Sequence, residues 1–138
     1  MMTKNELRDA AIAAMMKAYA PYSDFFVGAA LLTKGGKLYT GCNIENASYS
    51  ATCCAERTAL FTAVAAGERE FEAIAIAGGH HGRLDGVCYP CGVCRQALTE
   101  FCKPSMPVLL VTADGFEEHT LGELFPGFFT NLNEKTGK

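Results

Sequence analysis

Residues 54–77, CAERTALFTAVAAGEREFEAIAIA, decide the fold. The first half is rich in alanine and reads as a helix from Cys54 to Ala66, with Gly67 at its C-terminal end. Phe71 to Ala77 reads as a continuous apolar strand. Helices that alternate with such strands pack on the faces of a sheet.

The flanking sequence extends this pattern in both directions. Upstream, Thr3-Lys4-Asn5-Glu6 has the capping-box spacing. Leu7, Ala11, Ala14, Met15 and Ala18 then form one apolar helical stripe that Pro21 stops. Phe26 to Thr33 reads as a buried strand, Lys34-Gly35-Gly36-Lys37 as a turn, and Leu38 to Cys42 as the return strand of a hairpin. Asn43 to Cys53 is polar and aperiodic, a loop. Downstream, Gly78 to Pro90 reads as a second loop, followed by a helix from Cys91 to Phe101 that Lys103-Pro104 ends. Pro107 to Thr112 is a strand, Asp114-Gly115 a turn, and Phe116 to His119 an edge strand. Thr120-Leu121-Gly122-Glu123 again has capping-box spacing and opens a short helix before Pro126. The polar residues 131–138 read as a flexible tail. The expectation is one domain over residues 1–138, of α/β class, with three α/β/α layers around a mixed sheet of about five strands.

Bulk properties narrow the function. The 138 residues are 49% hydrophobic and 20% charged, an ordinary globular composition. A formal net charge of −3, with Lys and Arg spread singly, argues against a nucleic-acid partner. No apolar stretch approaches the length of a membrane span, and Met1-Met2-Thr3-Lys4-Asn5-Glu6 does not make a signal peptide. The expected location is the cytoplasm. In that reducing compartment, seven clustered cysteines point to metal ligation or catalysis more than to disulfides.

Two cysteine segments each begin a predicted helix directly after a loop: Cys54-Ala55-Glu56-Arg57 and Pro90-Cys91-Gly92-Val93-Cys94-Arg95. Helix N-termini favour thiolate over thiol, and zinc requires ionised cysteine. Cys91 and Cys94, three residues apart, can reach one ion, and Cys54 supplies a third ligand. Three protein ligands leave the fourth zinc position to water. Glu56, two residues after Cys54, can take a proton from that water. Arg57 offsets part of the negative charge of the three thiolates.

Cys-Ala-Glu followed, 34 residues past Glu56, by Pro-Cys-x-x-Cys resembles the cytidine deaminase superfamily. Tyr22-Ser23-Asp24-Phe25, Val27-Gly28-Ala29-Ala30 and Gly41-Cys42-Asn43-Ile44-Glu45-Asn46-Ala47-Ser48-Tyr49 resemble its small homotetrameric branch. The resemblance implies a cytidine-deaminase-like fold and one zinc per subunit held by Cys54, Cys91 and Cys94. It also implies hydrolytic deamination of cytidine and 2′-deoxycytidine, with Glu56 moving protons to the ring nitrogen and then to the leaving amine. By the same resemblance the Ala55 N–H faces the base, Phe25 lies beside it, and Asn43 and Glu45 hold the ribose. Ala47 and Tyr49 fall near a subunit boundary, and Phe129 enters a neighbouring subunit's site. The implied partner is a small nucleoside, and the active sites lie at the interfaces of a homotetramer. Cysteine as first ligand, where polynucleotide deaminases commonly carry histidine, favours free nucleosides.

Plainer readings stand beside these. Cys91 and Cys94 could belong to a redox pair, or to a closed structural zinc site completed by Cys53, Cys88, His80 or His81. A deaminase of another small aminopyrimidine nucleoside would share the metal site and differ in the pocket. Cys42, Cys88 and Cys102 read as small buried hydrophobes, His80 and His81 as solvated loop residues, and His119 as a surface residue. Glu56 alone would be an ordinary first-turn carboxylate, and Asn43 and Glu45 ordinary loop polar groups. Arg57 could be a salt-bridge partner only. Phe125, Phe128 and Phe129 suit a core or, preferably, an interface.

Overall fold

The structure is a computed structural model that describes residues 1–129; the tail expected over residues 131–138 lies outside the described residues. Five strands form one sheet: β1 (Phe25–Thr33), β2 (Leu38–Cys42), β3 (Phe71–His80), β4 (Pro107–Val111) and β5 (Phe116–Thr120). Their order is β2-β1-β3-β4-β5. β3 and β4 pair in parallel and the other neighbours are antiparallel, so the sheet is mixed as expected. The parallel step crosses over through α3 (Gly92–Thr99).

Side-chain alternation along the strands sorts the helices into two layers. Ala30 and Leu32 of β1, Ala73, Ala75 and Ala77 of β3, and Leu109 and Val111 of β4 meet Leu7, Ala11 and Met15 of α1 (Lys4–Met15). The opposite face, with Ala29, Leu31, Ile74, Ile76, Val108 and Leu110, is covered by α2 (Ala55–Ala65), by α3, and by Leu121 of α4 (Leu121–Leu124). β1, β3 and β4 have apolar residues on both faces, and this is why their sequences read as continuous apolar runs.

Two glycines set how closely the helices approach. A Cβ on Gly28 would lie 2.1 Å from the Met15 backbone nitrogen, so α1 rests directly on β1. A Cβ on Gly41 would lie 2.4 Å from the Ala59 nitrogen and 2.7 Å from the Ala55 oxygen, so α2 rests directly on β2.

Both capping boxes form: Thr3 with Glu6 opens α1, and Thr120 with Glu123 opens α4. Several boundaries differ from expectation. α1 ends at Met15, well short of Pro21, because the Tyr19 N–H bonds the Asn43 carbonyl at 2.9 Å and draws the chain into a bridge with Ile44. β3 runs on to His80 because β1 continues to pair with it, Phe25 opposite His80 and Val27 opposite Gly78. His80 therefore belongs to a strand end and not to the loop expected from Gly78. The loop after β2 contains a single 3₁₀ turn, Tyr49–Ala51. Cys54 and Cys91 sit one residue outside their helices, at the N-caps.

Candidate active site

α2 and α3 begin beside one another, each led by a cysteine. Cys54 is the N-cap of α2, where no side chain satisfies the first amides. Cys91 is the N-cap of α3, and its sulfur accepts from the Cys94 N–H one turn on, at 3.4 Å. The Cys54 and Cys91 sulfurs are 3.7 Å apart, the Cys91 and Cys94 sulfurs 3.5 Å, and all three lie within 4.8 Å of one another. A tetrahedral zinc with Zn–S bonds of about 2.3 Å requires sulfurs about 3.8 Å apart. The cluster fits that ion. Cys53, Cys88, His80 and His81 do not join this cluster among the described residues, so the three cysteines have no fourth protein ligand there.

Arg57, at the next turn of α2, donates from Nη2 to the Cys54 sulfur at 3.4 Å. The Cys54 thiol is held well below the usual thiol range, first by the Cys94 S–H it accepts from and then by Arg57, against the effect of burial. Cys94 moves the other way because it holds the shared proton. Zinc binding demands ionised cysteine, and Arg57 beside Cys54 favours that form.

Glu56 is 3% exposed, and burial pushes its carboxyl up to about 7. A carboxyl near neutrality can both accept and return a proton at physiological pH. Its side chain lines a cleft of about 240 Å³ together with Cys54, Ala55, Cys91, Phe25, Asn43 and Glu45.

Asn43 is buried, and its side chain clips onto β1: Oδ1 accepts from the Val27 N–H and Nδ2 donates to the Phe25 carbonyl, both at 2.8 Å. One lone pair and one N–H of the amide remain for a ligand. The Glu45 carboxylate accepts from the Tyr22 and Ser23 amides at 2.8 and 3.2 Å and from the Ser23 hydroxyl. That hydroxyl holds its carboxyl below the ordinary range.

Three of the expected residues stand apart from this cleft. Tyr49 is 76% exposed and lines an adjoining cavity of about 370 Å³ with Tyr22, Asn46 and Thr52, which also contains Ser23 and Glu45. Ala47 is also exposed. Phe129 is 69% exposed, and its carbonyl accepts from Gln96 of α3 at 2.9 Å, while Phe125 and Phe128 stack at 6.1 Å.

The cleft also holds residues that the sequence left without a role: Ser23, Val27, Thr52, Cys88 and Tyr89. Ser23 sits inside the Tyr22-Ser23-Asp24-Phe25 motif, a usable signal; Thr52 and Tyr89 carried none. Cys88, expected to be a plain buried hydrophobe, is half-buried on the cleft wall, with burial pushing its thiol up to about 12. Cys102 is fully buried as expected. His80 and His81 are exposed, and His119 is half-buried 3.3 Å from Glu117.

Three cysteine sulfurs at two helix starts, with a buried carboxyl in the same cleft, have the donor set and spacing of a zinc site with an open position. The model of the cytidine and deoxycytidylate deaminase zinc-binding region matches residues 1–110. A cytidine deaminase of Sporosarcina psychrophila is 52% identical over 115 residues, 83% of this chain and 82% of its own. One of Halalkalibacterium halodurans is 47% identical over 130 residues, 94% of this chain and 96% of its own. The crystal structure of the Burkholderia pseudomallei cytidine deaminase has a TM-score of 0.85 at 51% identity, covering 93% of this chain and all 100% of that one. This chain belongs to the cytidine and deoxycytidylate deaminase family. Its α/β sheet is the fold of those enzymes, and one zinc is the metal of its cysteine cluster. Among the described residues, no helix is long and apolar enough to cross a membrane.

Proposed function

We propose that the protein hydrolyses cytidine and 2′-deoxycytidine to uridine and 2′-deoxyuridine with release of ammonia, in pyrimidine salvage in the cytoplasm. The observation that carries this reading is the cluster of Cys54, Cys91 and Cys94 opening on the same cleft as buried Glu56. Cys54, Cys91 and Cys94 would hold a zinc ion, which would lower the pKa of a water to roughly 7 and so supply a nucleophile. Glu56 takes the proton released when oxygen adds to carbon 4 of the base and passes it to the ring nitrogen. It then takes the remaining proton from the oxygen now on carbon 4 and delivers it to the amine, and the carbon–nitrogen bond breaks to leave a carbonyl and ammonia. The Ala55 N–H, in the first turn of α2 and without an intrahelical acceptor, serves the polar edge of the base. Phe25 forms one wall of the base site. The remaining capacity of Asn43 and Glu45 suits one ribose hydroxyl, an N–H donating to it and a carboxylate accepting from it.

The assembly belongs to this proposal as well. Exposed Tyr19, Tyr22, Ile44, Tyr49 and Phe129 support a homotetramer whose active sites lie at subunit interfaces. In it, Ala47 and Tyr49 line the boundary and Phe129 completes a neighbour's cleft.

The test is ultraviolet absorbance and ammonia release on zinc-assayed protein, beside Glu56→Gln. General acid–base catalysis contributes about 10²–10⁴-fold, so the variant should keep its zinc and lose at least that much turnover. Zinc-loaded wild type that turns over neither nucleoside would refute the proposal.

A further inference from the structure

We propose that Asp24 and His81, outside the cleft, are positioning residues that aim Glu45 at the ribose; this rests on the reading of Glu45 as a ribose ligand. The β1–β3 ladder ends at the pair Phe25 and His80, whose rings meet edge to face at 5.0 Å. Asp24 and His81 are the next residues beyond it on each strand. Among the described residues they are the non-glycine residues with positive φ, both at 58°. Such left-handed backbone is disfavoured for side-chain-bearing residues and persists where surrounding contacts enforce it. Here the contacts are mutual. The His81 N–H bonds the Asp24 carbonyl at 2.8 Å, and His81 Nδ1 meets Asp24 Oδ2. The Asp24 N–H in turn reaches back to the Ala20 carbonyl at 3.0 Å.

What this clasp holds in place is the tight turn that grips Glu45. The Tyr22 and Ser23 amides and the Ser23 hydroxyl all donate to that carboxylate, and the Phe25 N–H donates to the same hydroxyl at 3.0 Å. These three donors leave about one of the roughly four acceptor positions of the carboxylate for a substrate hydroxyl. The direction of that last lone pair follows from where the turn sits, and the turn is tied to the sheet through Asp24 and His81. Neither residue lines the cleft, so both act through Glu45 and Phe25.

The experiment compares cytidine with its analogue lacking the 3′-hydroxyl, in wild type, His81→Gly, His81→Asn and Glu45→Gln. Glycine removes the side chain while relieving the left-handed backbone, and asparagine restores a donor that tolerates it. An exposed pair of this kind supports a KM increase of about three- to fivefold for cytidine in His81→Gly. The expected result is that increase, with kcat and zinc content unchanged, no increase for the analogue, and recovery to within about twofold in His81→Asn. A KM increase shared equally by both nucleosides would mark a merely structural role and overturn the inference, as would no increase at all. If Glu45→Gln discriminates between the nucleosides and His81→Gly does not, the positioning role alone fails. If Glu45→Gln affects both alike, the ribose reading fails and takes this inference with it.

Discussion

Gly41→Ala is the most direct test of how the sheet places the metal centre. The added methyl would lie 2.3 Å from Thr58 Oγ1, 2.4 Å from the Ala59 nitrogen and 2.7 Å from the Ala55 oxygen. Two of these are helix backbone. The third, the Thr58 hydroxyl, is engaged at 2.9 Å with the carbonyls of both Cys42 and Ala55, so it cannot swing aside without losing a bond. Ordinary contact begins at 3.4 Å, and α2 must therefore retreat by roughly 1 Å. Its N-cap is Cys54 and its second residue is Glu56, and both would be carried away from Cys91 and Cys94. α3 stays behind, since Arg95 Nε ties it to the Pro90 carbonyl at 2.7 Å and its Nη1 to the Leu124 carbonyl. Overpacking of this kind costs about 1–3 kcal/mol. At about 4 °C per kcal/mol, the melting temperature should fall by roughly 4–12 °C. A displacement of about 1 Å at the reacting groups costs about 10²-fold in turnover, a far larger proportional effect than the loss of stability. The assay is cytidine turnover, zinc content and melting temperature at one protein concentration. Gly115→Ala is the control, because nothing lies within 4 Å of its added methyl. Gly41→Ala with the melting temperature and turnover of Gly115→Ala would refute the reasoning.

Three further outcomes are expected. Phe129→Ala should raise KM for cytidine while zinc content stays constant, and an unchanged KM would remove Phe129 from the neighbour's cleft. Zinc removal by chelator should open Cys54, held low by Cys94 and Arg57, to alkylation, while buried Cys102, its thiol pushed up to about 12, stays silent until unfolding; mass spectrometry of the modified peptides reads both. Glu45, whose carboxyl the Ser23 hydroxyl holds down, should stay ionised below the usual glutamate range. Ser23→Ala removes that bond, so the pH at which KM begins to rise on acidification should move upward; a limb that stays in place or moves down would contradict it.

Much of the site was legible because its signals are local. The Cys-Ala-Glu and Pro-Cys-x-x-Cys spacings pick out the three cysteines that the fold brings together, and a cysteine before each alanine- or apolar-rich run marks a helix start. The capping boxes at Thr3 and Thr120 formed for the same reason: every partner lies within three residues. The strands β1, β3 and β4 declared themselves by apolar runs that are covered on both faces.

What depended on distant partners was not legible. Helical spacing through Ala18 predicted a longer α1, but a bridge from Tyr19 to Ile44, residues far apart in the chain, outcompetes the last turn. β3 gained its last residues from pairing with β1. The cysteine at position 88 looked like core because composition reports that a residue is apolar, not which wall it forms. Asn43 and Glu45 showed their chemistry in the sequence, yet only the folded chain reveals that β1 and the Tyr22–Ser23 turn already occupy most of their hydrogen-bonding capacity.

The sequence by itself carried the candidate cysteine ligands, the candidate proton carrier Glu56 and the alternation of helix and strand, since each is read from residue chemistry and short-range spacing. Tertiary structure alone decided that Cys54 meets Cys91 across 37 residues, that Glu56 is buried enough to hold a proton near neutrality, and that α2 sits against Gly41. Those are consequences of which faces pack together, and packing is a property of the whole chain.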